Sequence, residues 1–580
     1  MKQTIHLVLI LNLFLFGVFP IASGARGQQS NEPVVTRWMD PLGRPRPLHA
    51  PLSITEPLNL REVPREPETQ APALGTASGR ICILVHQNIY LSIGPGLDQY
   101  EADLNAAGYK TIVSVYTSGN PEDIRAYLAG LYGEPGSLTG AVFIGDIPYI
   151  IYEMMQTWGG NTEYEDFPCD IFFMDLDGTW SDTLNDGEVQ PGNGKYDTRG
   201  GNRALEIWVS RIKAGNLPSL GLESSILKKY FDKNHRYRTG ALAPAQKALV
   251  FNDDDWSGMA TEDAGCLAQV YGTPNVTKVS DREETTATDY KSNRMTADYE
   301  LMFIRSHGYP GGHGFYQDNR SSFQTVYCAD YRDLDPKGLF YSLYVCSGTD
   351  YTADDYLAGT IAFNMDDSGL LAWGSTKTGG ILNDTYFYTP LSDGEVFGES
   401  FRQWFNSVQA FYPAWAPQWW YGMVLIGDGA LKPILTADFT ADPTNGEAPL
   451  AVTFTDLSIG NIASWRWVFG DGAGSTLRNP AHTYTKPGTY DVTLTVIQAG
   501  RSDTKTKKQY IAAQAGIERY ESISALASGS PDSVFPVQTL PWDDPDNVLA
   551  DVTPPLLFYR APAVSGAIFA LKSGATVRIE

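Results

Sequence analysis

Two short apolar runs, each followed by a reactive side chain, constrain the fold of this chain more than any other feature. Residues 301–304 lead to His307, and residues 339–345 lead directly to Cys346, with a glycine soon after each reactive residue. Continuous apolar runs of this length are typical of strands that are buried on both faces of a parallel sheet. Because an open α/β sheet binds ligands at the carboxyl ends of its strands, the histidine and the cysteine are predicted to share one site.

Strand and helix patterns alternate between residues 79 and 433. Strands are predicted at residues 81–85, 111–115, 141–144, 205–209, 248–251, 370–373 and 423–426. Helices are predicted at residues 97–107, 122–131, 220–237, 353–363 and 396–405. This alternation indicates βαβ units, and therefore an α/β domain with a doubly wound, mostly parallel sheet.

Length and charge limit the possible functions. The chain has 580 residues, which is too long for one compact domain, and 43% of them are hydrophobic. The formal net charge of -24 argues against nucleic acid or an anionic membrane surface as a partner, because both repel an acidic protein.

The first 25 residues have the pattern of a signal peptide. Lys2 precedes an apolar run at residues 5–21, and small residues follow at 22–25. An uncleaved membrane anchor is the alternative, but the run is short and no stop-transfer pattern follows it. No later segment is apolar enough to span a bilayer, so the protein is predicted to have no transmembrane segment after signal removal and to be secreted or on the cell surface.

Residues 26–78 are rich in proline and polar residues, which prevents regular helices. This stretch is predicted to be mostly extended, as either a plain linker or a pro-segment that keeps an enzyme inactive until release.

The five cysteines are an odd number, so an exported protein would leave at least one thiol without a disulfide partner. Cys346 is the candidate for that thiol, whereas the other four show no spacing typical of a disulfide framework.

A cysteine nucleophile needs a basic neighbour, because its thiol is mostly protonated at neutral pH. His307 can supply the base, and the backbone N–H groups of Gly308 and Cys346 can form an oxyanion hole. The alternatives are a cysteine that fills the core and a histidine that is hydrogen-bonded for structural reasons.

An Asp-rich loop at residues 175–197 offers hard oxygen ligands that suit calcium, although it lacks the EF-hand spacing. The candidate ligands are Asp175, Asp177, Asp182, Asp186 and Asp197. A solvated surface loop is the alternative, and residues 253–255 form a second, weaker acidic cluster. The stretch from His307 to His313 lacks the other ligands of a zinc site, so no cofactor is predicted for catalysis and His313 is expected to line the cleft.

Composition changes after residue 433. Residues 434–514 contain short strands and turns, with strict alternation at residues 490–496, which predicts a small antiparallel β-sandwich. Residues 515–580 begin as a polar linker and end in alternating apolar stretches, which predict a small β unit without an assigned role.

Several blocks in residues 79–433 resemble gingipain-type cysteine peptidases, of the caspase–gingipain–legumain group. The blocks are AVFIGDIPYI (141–150), FPCDIFFMDLDGTW (167–180), LEIWVSRI (205–212), GLLAWGSTKTGG (369–380) and MVLIGDGALKP (423–433), together with the two strands ending in His-Gly and Cys. The resemblance implies a caspase/gingipain-like fold and a cysteine endopeptidase with His307 as base and Cys346 as nucleophile. Ser210 and Gly429 depart from the usual Gly and Pro of that family.

The resemblance also suggests two further acids. Glu153, with Asp146 behind it, is the candidate for the carboxylate that orients the histidine. Asp170 is the candidate for the acid that selects Arg or Lys at the floor of the specificity pocket. A capping or structural role is the alternative for each of them.

The segment WRWVFGDG (465–472), with PAHTY and PGTYDV after it, resembles the PKD domain, an immunoglobulin-like sandwich. Such domains act as spacers or contact proteins and polysaccharides at cell surfaces, and the fold alone does not decide between these roles. The chain is thus predicted to be a secreted cysteine endopeptidase acting on proteins or peptides. The alternative is a non-catalytic surface protein for adhesion or assembly.

Overall fold

The computed structural model describes residues 37–64, 79–134, 137–158, 161–317, 320–380, 384–411, 417–458, 460, 462–498, 501–515, 557–560 and 568–571. The predicted signal peptide lies outside these residues, as do both ends of the proline-rich stretch and most of the last 65 residues. No helix of the described part is both long and apolar enough to cross a membrane.

The first domain combines a large sheet with short hairpins. Its strands are β1 (Asn59–Glu62), β2 (Arg80–His86), β3 (Lys110–Ser118), β4 (Leu138–Ile144), β5 (Ile151–Trp158), β6 (Asn161–Pro168), β7 (Thr179–Ser181), β8 (Thr198–Gly200), β9 (Trp208–Ile212), β10 (Ala248–Asn252), β11 (Val276–Val279), β12 (Leu301–Arg305), β13 (His307–Tyr309), β14 (Gly312–Gln317), β15 (Ser322–Tyr327), β16 (Phe340–Tyr344), β17 (Leu371–Ser375) and β18 (Met423–Gly427). Its helices are α1 (Gln87–Ala106), α2 (Pro121–Tyr132), α3 (Ile171–Met174), α4 (Glu223–Arg238), α5 (Ala260–Tyr271), α6 (Ala287–Asp289), α7 (Cys328–Asp333), α8 (Leu357–Phe363), α9 (Thr385–Asp393) and α10 (Phe397–Phe411).

Among the described residues, 11 of these strands form one mixed sheet in the order β1-β3-β2-β4-β9-β18-β17-β16-β12-β10-β11. The strands β10, β11, β12, β16 and β17 pair in parallel, and so do β2, β3, β4 and β9, whereas β17 with β18 and β1 with β3 are antiparallel. One continuous hydrophobic core unites the sheet and its helices. The predicted α/β class with a mostly parallel sheet is confirmed.

Local sequence signals explain where several elements begin and end. Helix α2 starts with Pro121 at its first position, and the Asn120 side chain caps it by accepting from the Asp123 N–H. The strand predicted at 205–209 lies three residues later, at Trp208–Ile212, and the helix predicted from residue 353 begins at Leu357.

The proline-rich stretch is not a free linker where the structure describes it. Residues 59–62 form β1, an edge strand that pairs with β3, and residues 37–50 lie on the first domain. None of the five cysteines forms a disulfide, and all five are buried. The large hydrophobic core of this domain forms without a disulfide.

The second domain is the predicted β-sandwich. Its strands are β19 (Phe439–Asp442), β20 (Asn445–Glu447), β21 (Leu450–Asp456), β22 (Ser464–Val468), β23 (Gly474–Ser475), β24 (Ala481–Tyr484), β25 (Gly488–Gln498) and β26 (Arg501–Gln514). They form a three-stranded and a five-stranded sheet around a core that includes Trp467, Phe469 and Phe454. Farther on, β27 (Leu557–Arg560) and β28 (Ile568–Leu571) pair antiparallel, as the prediction of a small C-terminal β unit requires.

Candidate active site

His307 and Cys346 lie at equivalent positions beyond two neighbouring parallel strands. Strands β12 and β16 pair with Arg305 opposite Tyr344 at the end of their shared register. Each reactive residue comes two positions after this pair, so the register brings both to one edge of the sheet. Both residues have 0% of their surface exposed.

The main chain around the two residues is held by a close approach and a strained turn. A Cβ atom on Gly308 would lie 2.5 Å from the Val345 side chain and 2.6 Å from the Gly312 carbonyl oxygen. Ser347, directly after Cys346, has a φ of 50°, in the left-handed region that residues other than glycine rarely adopt. Strain of this kind costs about 1–3 kcal/mol and is concentrated at functional sites.

Asp255 is the carboxylate that contacts His307. It follows β10, the other neighbour of β12, and its Oδ2 lies 2.7 Å from His307 Nε2. Arg320 donates to the other oxygen of this carboxylate, and the Trp256 ring packs on the imidazole with 4.8 Å between ring centroids. These contacts fix the orientation of the imidazole and place the proton of its neutral form on Nε2.

The protonation states of this pair follow from burial and hydrogen bonding. Burial lowers the pKa of His307, although the hydrogen bond to Asp255 opposes this change. Burial raises the pKa of Asp255, but the hydrogen bonds from His307 and Arg320 outweigh it, so the net shift of that pKa is downward. At neutral pH the imidazole is therefore neutral, with its lone pair on Nδ1.

Glu153 does not contact His307 and is a correction to the sequence analysis. Its buried carboxylate accepts hydrogen bonds from the Tyr164 hydroxyl at 2.5 Å, the Asn193 amide at 2.9 Å and the Gln190 N–H at 3.2 Å. Asp146 is exposed and pairs with Lys213 at 2.5 Å. Glu153 lies on the β5–β6 hairpin, which the sequence analysis did not predict. There it contacts the loop between β7 and β8 rather than the histidine.

A stretch of the N-terminal region, here called the covering segment (residues 37–50), lies over the histidine. The Arg37 N–H donates to His307 Nδ1 at 2.7 Å, and the Gly308 N–H donates to the Arg37 carbonyl oxygen at 3.3 Å. The Met39 N–H donates to the Gly308 carbonyl oxygen at 3.1 Å. The segment therefore occupies the lone pair of the candidate base and one of the two predicted oxyanion-hole donors.

Arg46 of the covering segment enters a pocket beside Cys346. Its guanidinium donates to the Glu165 carboxylate and to the Thr378 hydroxyl, and the Cys346 sulfur lies 3.8 Å from that hydroxyl oxygen. Lys377 Nζ lies 3.1 Å from the second oxygen of Glu165. Burial lowers the pKa of Arg46 and, more strongly, that of Lys377. The pocket thus holds two basic side chains around one buried carboxylate.

His49, three residues after Arg46, lies between two carboxylates. Its Nδ1 is 2.9 Å from Asp166 Oδ1 and its Nε2 is 3.1 Å from Asp350 Oδ2. The His49 backbone N–H also donates to Asp166, and Lys195 pairs with the same carboxylate at 2.5 Å. Burial lowers the pKa of His49, but the hydrogen bonds to Asp166 and Asp350 outweigh it and raise that pKa to about 9.

These contacts predict a pH-dependent contribution of His49 to stability. The pKa of His49 rises from 6.5 to about 9 on folding, so the stabilisation is fully present below about pH 6.5 and is lost as the pH rises through about 9. The pKa of Asp166 is lowered, so the same contact also weakens when the pH falls below the ordinary range of a carboxyl group. The wild-type chain should be more stable than His49→Gln, most of all between pH 5 and 6.5, by about 1–3 kcal/mol in free energy of unfolding. Melting temperatures of the two chains, measured over this pH range, check the difference. A difference that stays constant up to pH 10 would contradict the charged state of His49.

Two predicted substrate-binding residues are placed elsewhere. Both oxygens of Asp170 lie 2.7 Å from the Arg211 guanidinium, and the Tyr351 hydroxyl donates to it at 2.8 Å, so this acid is closed by the chain's own arginine. His313 is fully buried on β14, with Nε2 2.9 Å from the Tyr331 hydroxyl, and burial lowers its pKa to about 3. Neither residue lines the cleft as the sequence analysis expected.

The predicted calcium ligands are not gathered at one point. Asp182 accepts from the Gly192 and Gly194 N–H groups, Asp197 accepts from the Thr183 and Leu184 N–H groups, and Asp175 pairs with Arg199 at 2.6 Å. Asp186 forms a backbone bridge with Val189. Within the described residues, only Asp175 and Asp177 approach a third acid, Glu206, closely enough to share a cation, and Arg199 already neutralises Asp175. Main-chain amides therefore hold this loop.

Comparisons of the sequence with known proteins match parts of the chain. Residues 431–513 match the PKD domain family. A microbial collagenase of Vibrio alginolyticus is 31% identical over 131 residues, which are 22% of this chain and 15% of that protein. The pre-pro-metalloprotease PrtV of Vibrio cholerae is 48% identical over 54 residues, which are 9% of this chain and 6% of that protein. The chain thus spans less than a fifth of the length of either relative.

Solved structures with similar folds cover both domains. The Arg-specific cysteine proteinase gingipain R is 14% identical, with a TM-score of 0.45, over 76% of this chain and 100% of that chain. The PKD1 domain of the Vibrio cholerae metalloprotease PrtV is 35% identical, with a TM-score of 0.13, over 14% of this chain and 98% of that chain. Residues 431–513, which match the PKD domain family, follow the α/β domain.

Proposed function

We propose that this chain is a cysteine endopeptidase with Cys346 as nucleophile and His307 as base. The observation that carries the proposal is the shared sheet edge of the two residues, with His307 held by Asp255 through Nε2 so that Nδ1 is the basic atom. His307 takes the thiol proton, the Cys346 sulfur attacks the substrate carbonyl carbon, and the Gly308 N–H stabilises the negative oxygen. The protonated imidazole then gives its proton to the leaving amine, and water hydrolyses the thioester to the acid and the free thiol.

The same proposal makes the covering segment a pro-segment. The segment hydrogen-bonds to Nδ1 of His307 and to the Gly308 N–H, and it fills the pocket beside Cys346. A substrate needs all three of these, so it competes with the segment for the cleft. The full chain is then a latent form that gains activity when the segment leaves.

Glu165, rather than Asp170, is the proposed acid for Arg or Lys preference. Arg46 reaches it in the pocket beside Cys346, which is where the side chain before a cleaved bond would lie. We also infer export through residues 1–25, and contact of the PKD domain with protein or polysaccharide outside the cell.

Hydrolysis of Arg-, Lys- and Asn-containing peptides under reducing conditions tests the function. The assay uses the full chain with Arg46→Ala, in which the covering segment is expected to leave more readily, and compares it with Arg46→Ala/Cys346→Ala. Hydrolysis after Arg should be fastest and should fall to background without the thiol. Equal hydrolysis by both variants would remove Cys346 from the mechanism, and no hydrolysis by either would favour the adhesion alternative.

A further inference from the structure

Asp166 and Asp350 together bind the basic side chain of His49. Both ring nitrogens of His49 and its backbone N–H lie within 3.1 Å of oxygens of these two carboxylates. Both acids belong to the α/β domain, on β6 and on the loop after Cys346, whereas His49 belongs to the covering segment. The contact thus joins the covering segment to groups that are fixed beside the candidate nucleophile.

The two oxygens of Asp350 have separate partners. Its Oδ1 accepts from the Thr352 N–H at 3.1 Å and from the Thr352 hydroxyl at 2.6 Å, both within its own loop. Its Oδ2, among the described contacts, meets only His49. When the covering segment leaves, Oδ1 keeps its partners while Oδ2 faces the vacated cleft.

The charges of this site do not balance without the segment. Lys195 neutralises Asp166 from the domain itself, at 2.5 Å, but the hydrogen bonds described for Asp350 come from neutral groups once His49 is removed. An acidic group in a partly enclosed cleft favours a cationic partner, and a hydrogen bond between charged groups is stronger than one between neutral groups.

We infer that Asp166 and Asp350 form a second substrate subsite, which selects a basic side chain three residues after the arginine held by Glu165. The inference rests on the proposed function, because the substrate enters the cleft that the covering segment now fills. The spacing is that of Arg46 and His49 in the segment itself. The pair Glu165/Thr378 binds the first basic residue, and the pair Asp166/Asp350 binds the second.

Peptide binding to a catalytically silent full chain tests the subsite without requiring hydrolysis. The chain carries Cys346→Ala with Arg46→Ala and His49→Ala, which vacate both positions. Fluorescent peptides with the sequence of residues 44–52 carry His, Lys or Gln at the position of His49, and their dissociation constants are measured at pH 6 and pH 8. The His peptide at pH 6 and the Lys peptide at both values should bind about tenfold more tightly than the Gln peptide, as expected for one charge-assisted hydrogen-bonded contact.

Two carboxylate variants identify the group that selects the charge. Adding Asp350→Asn should remove the difference between the Lys and Gln peptides, because asparagine still accepts from Thr352 through one oxygen but carries no charge. Adding Asp354→Asn, which neutralises an exposed acid of the same loop, should leave the difference unchanged. Melting temperatures of both variants verify that they are folded.

The outcomes separate this inference from the proposed function. Equal binding of the Lys and Gln peptides, or a difference that survives Asp350→Asn, would overturn the subsite even if the chain with Cys346 hydrolyses peptides. A tenfold preference that depends on Asp350, in a chain without Cys346-dependent hydrolysis, would support the subsite as a binding site and reject the peptidase.

Discussion

Replacing Arg46 with alanine should make Cys346 react with iodoacetamide about thirtyfold faster or more than in the wild-type chain. The wild-type thiol is fully buried beneath the covering segment, so the reagent reaches it only when the segment opens. Removing one partner from a buried, hydrogen-bonded charge pair costs about 2–5 kcal/mol, and the lower value alone raises the open population about thirtyfold. Mass spectrometry of the alkylated peptide, sampled over time under reducing conditions, gives the rate.

Arg44→Ala is the matched control for this experiment. Arg44 belongs to the same segment, but its side chain is 61% exposed and pairs with Asp40 of that segment. Its removal takes away the same charge and should change the alkylation rate by less than about threefold. An Arg46→Ala chain that reacts at the wild-type rate would mean that Arg46 does not hold the segment in place.

Asp255→Asn should lower kcat by about a hundredfold to ten-thousandfold, when measured in the Arg46→Ala chain. Asparagine can donate to His307 Nε2 as well as accept from it, so it no longer specifies the tautomer that leaves Nδ1 basic. Asp255 also raises the pKa of His307 against the effect of burial. Without that charge the pKa of the imidazole falls, and the acidic limb of the kcat/KM profile should move to lower pH.

The neighbouring acid provides the comparison for Asp255. Asp254 is buried, and it contacts Thr285 and Arg282 rather than the histidine. Asp254→Asn should leave both kcat and the pH profile near those of the parent. If the two variants lose activity equally and neither shifts the acidic limb, Asp255 stabilises the loop and does not position the base.

The sequence alone predicts that His307 and Cys346 lie at one edge of the sheet, because both residues carry local signals. Each comes after a short, mostly apolar run, and buried parallel strands place their carboxyl ends together. Asp255 also follows a predicted strand, but the sequence does not show that this strand, β10, is the spatial neighbour of β12. A search for acids that follow the other predicted parallel strands would have found it, in the cluster at residues 253–255.

Buried ion pairs explain why the other acids were misplaced. Asp170 occupies the position expected of a specificity residue, but its partner Arg211 is on a separate strand and no local pattern links the two. Glu165 and Asp166 lie on the β5–β6 hairpin, whose strands alternate weakly and were not predicted. Their contacts with the covering segment appear only in the structure.

The edge strand β1 has a consequence for the proposed release of the N-terminal region. Residues 59–62 hydrogen-bond along β3, and β3 has β1 on one side and β2 on the other. Departure of the whole N-terminal region would leave one side of β3 without its partner, and unpaired strand edges recruit other strands, including those of identical molecules. The proposed activation would thus carry a risk of self-association, and the N-terminal region would keep the intact chain soluble as well as inactive.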